Sequence, residues 1–275
     1  MGTPFIKFIG PSKLDGFKRG ASAEAQPATI PQTFVDAMEV REGVFVKEQG
    51  VPSENEFDVD DPRCCHWVIY ASVNKTEEAA VRDEQGNVVQ PRRSSTRTTP
   101  IGTIRVVPFP QDPHPKKRGD YWNGILKGEE VKPDPNSKAP LVAPPKKFII
   151  DRPTTFHDGQ EPYVKLGRLA VIKDFRGHNI GGQLVKSAMK WLKENPSFFD
   201  PSILEMGLEQ MGASNETEVP KWMGLVCVHA QKGAIGAWEK WGFKIDENMG
   251  EWSEEGIVHV GMFQRVQIGD KMIRI

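Results

Sequence analysis

The first hydrophobic run, Phe5-Ile6-Lys7-Phe8-Ile9, reads as a short strand followed by a Gly-containing loop. From Pro31 the spacing changes. Phe34, Val35, Met38, Val40, Val44, Phe45 and Val46 recur at roughly helical intervals up to Glu48, where Gly50-Val51-Pro52 stops the run. An acidic loop follows, with Glu54, Glu56, Asp58, Asp60 and Asp61. His66 to Val73 and Ile101 to Val107 are β-branched and aromatic enough to predict buried strands. Between them, residues 74–100 are polar and basic without an apolar period, and read as an extended hairpin excursion or a loop.

The stretch from 108 to 162 is the least regular. Residues 91–162 carry 13 of the 22 prolines, and no helical period is sustained. It predicts a long surface insertion with short ordered pieces near Tyr121-Trp122 and Phe148-Ile149-Ile150, its basic clusters at 116–118 and 146–147 forming a solvated face. Order returns at Tyr163. Val164 to Ile172 is a strand, and Gly181 to Leu192 an amphipathic helix with Leu184, Val185, Ala188 and Trp191/Leu192 inward. Trp222 to His229 is a strand, 231–241 a helix, and Phe243 to Ile245 and Ile257 to Val266 closing strands. That order predicts a single α/β domain over 1–275 with a mixed sheet and insertions at 74–100 and 108–162.

Composition narrows the class little further. Apolar residues are 38% and charged residues 27%, ordinary for a soluble globular chain. With 36 basic and 37 acidic residues the net charge is −1, so no bulk field argues for nucleic acid or an anionic membrane. No apolar run approaches the ~20 residues that cross a bilayer. Three cysteines, Cys64, Cys65 and Cys227, without metal-ligand spacing point to a reducing, cytoplasmic setting and buried packing rather than disulfides or zinc.

The candidate chemistry lies in 163–186. A strand ends at Ile172, the turn Lys173-Asp174-Phe175 follows, and Arg176-Gly177-His178-Asn179-Ile180-Gly181-Gly182 opens a helix. Such a loop aims unpaired backbone N–H groups and the positive end of a helix dipole at one point, which suits a pyrophosphate. Gly182 is followed by Gln183-Leu184 rather than Lys-Ser/Thr, so a triphosphate loop is disfavoured, and the dinucleotide pattern GxGxxG is absent.

Leu169-Ala170-Val171 through Gly182 resembles motif A of the GNAT superfamily of acyl-CoA N-acyltransferases, Arg/Gln-x-x-Gly-x-Gly/Ala, with Arg176 first and Gly181 last. Asn179 stands where the family has Gly, a mild departure because Asn tolerates left-handed backbone. His229 through Phe243 is similar to the family's motif B. Arg41 to Pro52 with Glu56-Phe57-Asp58 and His66 resembles the first helix and acidic loop of one group of small GNAT enzymes, and Gly102-Thr103-Ile104-Arg105 fits the strand before the core motif.

The resemblance implies a mixed, mostly antiparallel central sheet with helices on both faces and a V-shaped splay between two central strands. It implies acetyl-CoA as acyl donor and no metal. The pantetheine arm would lie along Leu169, Ala170 and Val171, with the pyrophosphate on Arg176, Gly177, His178, Asn179, Ile180, Gly181 and Gly182; Arg176 would place the loop or pair with phosphate. Trp238 occupies the position of the family's Tyr acid. Indole cannot deliver a proton, so Trp238 is expected to pack against the cofactor arm or the core. His229 reads either as a proton shuttle at the opening or as a hydrogen-bonded structural histidine. Glu56 and Asp58 would attract or deprotonate a cationic amine, or simply form an acidic turn or a cap. Arg41 and Glu48 are expected to pair across their helix. The acceptor so implied is a primary amine of a small molecule, such as an amino sugar or a polyamine-like compound, and a homodimer is compatible with it. A protein N-acetyltransferase and a non-catalytic acyl-CoA sensor are the alternatives.

Overall fold

Strand β2 (Cys65–Glu78) sets the plan of the fold in a computed structural model that describes residues 4–78, 81–129, 148–201, 215 and 219–268. Trp67 and Ile69 enter one apolar cluster, while Val68 and Tyr70 enter another on the opposite face, as a period of two requires. Strand β1 (Phe5–Ile9) forms one sheet edge against β2, from Phe5↔Tyr70 to Ile9↔His66. On its other side β2 pairs with β5 (Arg93–Val107) as far out as Glu78↔Arg93. The 74–100 excursion is therefore a hairpin, capped by a separate ribbon of β3 (Val81–Arg82) and β4 (Val88–Gln90).

Beyond β5 the sheet continues through β8 (Val164–Val171), β9 (Leu225–Gln231), β12 (Ile257–Arg265), β11 (Glu251–Glu254), β6 (Asp120–Trp122) and β7 (Ile125–Leu126). Strand β10 (Lys244–Ile245) also pairs with β12. Two of these pairings are parallel, β8 with β9 and β11 with β6, and the rest are antiparallel.

Helices cover both faces. Helix α1 (Gln32–Arg41) packs Ala37 against Val68 and Tyr70, and Val40 against Ala170. The sequence predicts one helix through Glu48, but the chain changes to a π-helical segment, Glu42–Glu48, after Arg41. A Cβ on Gly43 would lie 3.2 Å from Ile172 Cδ1, so glycine lets this widened segment press onto the end of β8. A single turn, α2 (Ser53–Glu56), opens the acidic loop. On the other face α3 (Ile180–Glu194) buries Leu184, Val185, Ala188 and Leu192 against Trp67, Ile69, Ile104 and Leu166. Helix α4 (Ile235–Lys240) leads into β10. This mixed, mostly antiparallel sheet with two covered faces is the GNAT-like arrangement implied by the sequence.

The described parts of 108–162 are more than a surface excursion. Strand β6 joins the main sheet beside β11. His114 and His157 are buried and share a 2.8 Å ring-to-ring hydrogen bond, beside Tyr163. Asp246 ties the segment down, accepting from Thr154 Oγ1 at 2.7 Å and from the N–H groups of Thr155 and Phe156 at 3.0 and 2.9 Å. Phe148 packs on the core, whereas Ile149 and Ile150 are exposed. The basic pair at 146–147 lies outside the described residues. Among the described residues, no helix is long and apolar enough to cross a membrane.

Candidate functional site

Strands β8 and β9 start side by side, from Val164↔Val226 to Leu166↔Val228, and then part while both run on. The parting coincides with a β-bulge. Thr103 faces Ala170 and Arg105 faces Gly167, so two steps along β5 span three along β8. Arg168 lies within that longer step and takes φ 49°, a left-handed conformation unusual for a long side chain. Across the bulge the facing alternation shifts. Val164 and Leu166 belong to the α3-side core, Leu169 and Val171 pack on that same core, and Ala170 turns to the α1 side. Past Leu166, the β9-facing edge of β8 carries no strand pairing among the described residues.

The end of β8 is locked to its loop. Ile172 N–H donates to Ile101 O on β5. The Val171 carbonyl instead accepts from Arg176 Nε at 2.9 Å. Nη1 and Nη2 of the same guanidinium meet Glu48 Oε1 and Oε2 at 2.6 and 2.7 Å. All three nitrogens of Arg176 therefore have protein partners. Glu48 pairs with Arg176 and not with Arg41, which corrects the expected pairing along the helix.

The loop then turns through two left-handed residues, Gly177 at φ 82° and Asn179 at φ 56°. The first helical bond of α3 runs from Gln183 N–H to the Asn179 carbonyl. The amides from Asn179 to Gly182 consequently have no carbonyl behind them within the helix, and they project from its positive end. A Cβ on Gly182 would overlap the Asn179 side chain, and one on Gly181 would lie 3.2 Å from the Trp241 ring. His178 is exposed, with Nδ1 3.0 Å from the Arg176 carbonyl.

Glu56 and Asp58 lie inside an ionic cluster. Arg41, fully buried, gives Nε to Glu56 Oε1 at 2.6 Å and Nη1 to Asp61 Oδ1 at 2.7 Å, and its Nη2 also reaches the Glu56 carbonyl. Arg105 forks onto Asp58 at 2.8 and 2.6 Å and shares Asp61 Oδ1 at 2.7 Å. Arg168 completes the set, with Nη2 3.1 Å from Asp58 Oδ2 and Nε 3.2 Å from Glu56 Oε1. Burial acts to raise the Asp58 pKa, but the charges of Arg105 and Arg168 hold it well below the usual carboxylate range. Three guanidiniums thus face three carboxylates, the balance that charges taken out of water require.

His229 lies on β9 just past Val228, the last residue of that strand paired with β8. Its Nδ1 is 3.1 Å from Glu254 Oε1, and its ring stands edge-on to Trp252 at 4.8 Å between centroids. The same Glu254 oxygen accepts from Trp252 Nε1 at 2.6 Å. Burial and the Lys165 charge lower the His229 pKa, partly offset by Glu254, so a neutral imidazole is favoured. Two side-chain bridges join the chain around the acidic loop to β9 and to the residue after β11. Gln231 Nε2 donates to Gln49 Oε1 at 2.9 Å, and Asn55 Nδ2 to Glu255 Oε1 at 3.1 Å.

The Gly-rich loop follows β8, Arg168 of β8 meets Glu56 and Asp58, and His229 lies on the neighbouring β9, so the parted strands carry or contact all of these groups. Trp238 is 5% exposed in the α3-side core, edge-on to Trp241 and Phe243. The sequence gives no site role to Arg168 or Glu254, and marks Asp61 only as part of the acidic loop and Arg105 only as part of a strand. The alternation Trp252-x-Glu254 before Glu255-Gly256, both at positive φ, is the one signal that marks Glu254 as lying on a hairpin strand.

No protein-family model matches the chain, and no curated protein matches it. Solved structures do. A putative N-acetyltransferase from Lactobacillus plantarum is 18% identical, over 95% of this chain and 97% of that one, with TM-score 0.45. An acyl-CoA N-acyltransferase from Pseudomonas aeruginosa is 14% identical over 95% and 99%, with TM-score 0.44. Arabidopsis thaliana NAA60 in complex with acetyl-CoA is 10% identical over 96% and 99%, with TM-score 0.36.

Proposed function

We propose that this protein is an N-acyltransferase that moves an acetyl group from acetyl-CoA to a primary amine of a small molecule, by direct attack with both substrates bound. The observation that carries this reading is the parting of β8 from β9 at a bulge, with a phosphate-suited loop at the end of the same strand. The unpaired edge at Leu169–Val171 suits an extended amide-bearing arm, which can add to it as a strand does. The amides of Asn179, Ile180, Gly181 and Gly182 suit a pyrophosphate, with Gly177 and His178 forming the turn that leads to them. Acetyl-CoA supplies an acyl group already activated as a thioester.

The chain's own residues then have three tasks. The first is to hold the edge of β8 in place, which Arg176 and Glu48 do from one end and Arg168 does at the bulge. The second is to take a proton, because an alkylammonium with pKa about 10 is unreactive until it loses one. His229, favoured neutral on β9, is the group suited to that step. The third is to shape the acceptor side. Glu56 and Asp58, occupied by Arg41, Arg105 and Arg168, act in this reading as anchors of the bulge and not as proton carriers. Trp238 serves the core, so the thiolate departs without an acid from that position. A thiol with pKa of about 8.5 leaves readily in this way.

The test is CoA release from acetyl-CoA with a panel of amino sugars, polyamines and peptides, alongside calorimetric binding of acetyl-CoA. Turnover on a small amine is the expected result, with binding abolished in Gly181→Leu. Preferred turnover on peptides would make it a protein acetyltransferase. Tight binding with no turnover on any amine would make it a sensor, a reading that the buried Trp238 in the acid's position favours.

A further inference from the structure

Glu254 belongs to a short strand that takes no part in the loop or in the parted pair, yet its carboxylate is shared by two ring N–H groups. Trp252 Nε1 donates to Oε1 at 2.6 Å, and His229 Nδ1 lies 3.1 Å from the same oxygen. An ionised carboxylate can only accept, so the His229 proton must sit on Nδ1. In the neutral ring Nε2 then carries the lone pair. Trp252 is 2% exposed and packed among Tyr163, Cys227, Met249 and Phe263, so the oxygen is held from an immobile side. The edge-on Trp252 ring also limits rotation of the imidazole.

We propose that Glu254 is a positioning residue that fixes His229 in the Nδ1–H tautomer, so that Nε2 receives the proton of the acceptor amine. This rests on the acyltransferase reading above for the identity of the proton donor, but not for the tautomer. In the step, the ammonium proton passes to Nε2 and the freed nitrogen pair forms a C–N bond with the thioester carbon. The C–S pair leaves on sulfur, and the amide nitrogen loses its remaining extra proton to solvent. Glu254 keeps its charge throughout and faces the imidazolium as it forms. The other charged or titratable groups that act on His229 are Lys165 from β8, His259 from β12 and, more weakly, His114.

The test begins on the free full-length protein, by ring-nitrogen NMR of His229 at neutral pH. The expected spectrum shows protonated Nδ1 and bare Nε2 in the native protein, mixed tautomers in Glu254→Ala, and partial return in Glu254→Asp. Loss of Glu254 should also move the His229 titration to lower pH. A native spectrum with bare Nδ1, or an unchanged one in Glu254→Ala with the fold intact by circular dichroism, would overturn the proposal. Turnover supplies the second arm. Glu254→Ala should lower kcat on the order of 10- to 100-fold with the KM for acetyl-CoA unchanged. It should lower kcat no further in a His229→Ala background, and an equal loss there would show that Glu254 acts independently of the histidine. If the native protein binds acetyl-CoA without turnover, the acyltransfer reading fails and the NMR arm still decides what Glu254 does to His229.

Discussion

Arg176 and Glu48 meet fork to fork, at 2.6 and 2.7 Å, across the gap between the phosphate-suited loop and the end of the π-helical segment. Since Arg176 Nε is also bound to the Val171 carbonyl, this one side chain ties together loop, strand and helix. In the acyltransferase reading, its task is placement. Arg176→Ala and Glu48→Gln are each expected to weaken acetyl-CoA binding by roughly fivefold, the size of an exposed bidentate pair. Calorimetry on both variants checks it. A direct phosphate contact would instead leave Glu48→Gln neutral or tighter.

Gly182 lies under the Asn179 side chain, where a Cβ cannot fit. Gly182→Ala is expected to push Asn179 out of its left-handed turn at a strain of about 1–3 kcal/mol. Acetyl-CoA affinity should then fall about tenfold or more, while the thermal midpoint drops only a few degrees. Gly177→Ala is the control, because its Cβ would meet nothing within 4 Å and only the φ of 82° opposes it.

The buried guanidinium of Arg41 holds Glu56 and Asp61 together. Arg41→Ala leaves both carboxylates with one cation fewer, and the expected loss is about 3–5 kcal/mol in urea unfolding. Arg41→Lys keeps the charge but not the fork and should lie between the two. A loss under about 1 kcal/mol for Arg41→Ala would mean that the cluster re-pairs through Arg105 and Arg168.

His66 and His114 are both held neutral by burial, their pKa values lowered to about 4 from the ordinary 6.5. The unfolded chain therefore binds more protons than the native one between those limits, and stability rises with pH there. It is fully present above pH 6.5 and lost as pH falls toward 4. Urea midpoints measured across that window should decline steadily on acidification, and His114→Gln should flatten the slope. The Asp58 carboxylate adds its own loss only below the usual carboxylate range.

The loop from Arg176 to Gly182 was legible because its glycines, its polar turn and the amphipathic run from Leu184 to Leu192 are all local. Strands at Phe5–Ile9 and Ile257–Arg265 were legible for the same reason. An α-helix continued through Glu48 predicts the wrong partner for Arg41. The change of pitch at Glu42 carries Glu48 toward the loop and leaves Arg41 to Glu56 and Asp61. Glu254 was missed because a four-residue strand leaves too short an alternation to stand out from loop. His114 and His157 sit in a proline-rich stretch without periodicity, and their burial comes from contacts with Tyr163 and Phe263 that are distant in sequence.

The bulge at Arg168 was invisible for a different reason. Val-Lys-Leu-Gly-Arg-Leu-Ala-Val looks like an uninterrupted strand, and only its register against β5 reveals the surplus residue. The bulge absorbs that surplus and so keeps Leu169 and Val171 on the face of Val164 and Leu166. Paired without the bulge, the same residues would alternate so as to send Leu169 toward α1 and Ala170 into the α3 core; removing one residue between Leu166 and Leu169 would instead give a regular register with the faces unchanged, so a single-residue deletion here should keep the core packing and lose the bulge.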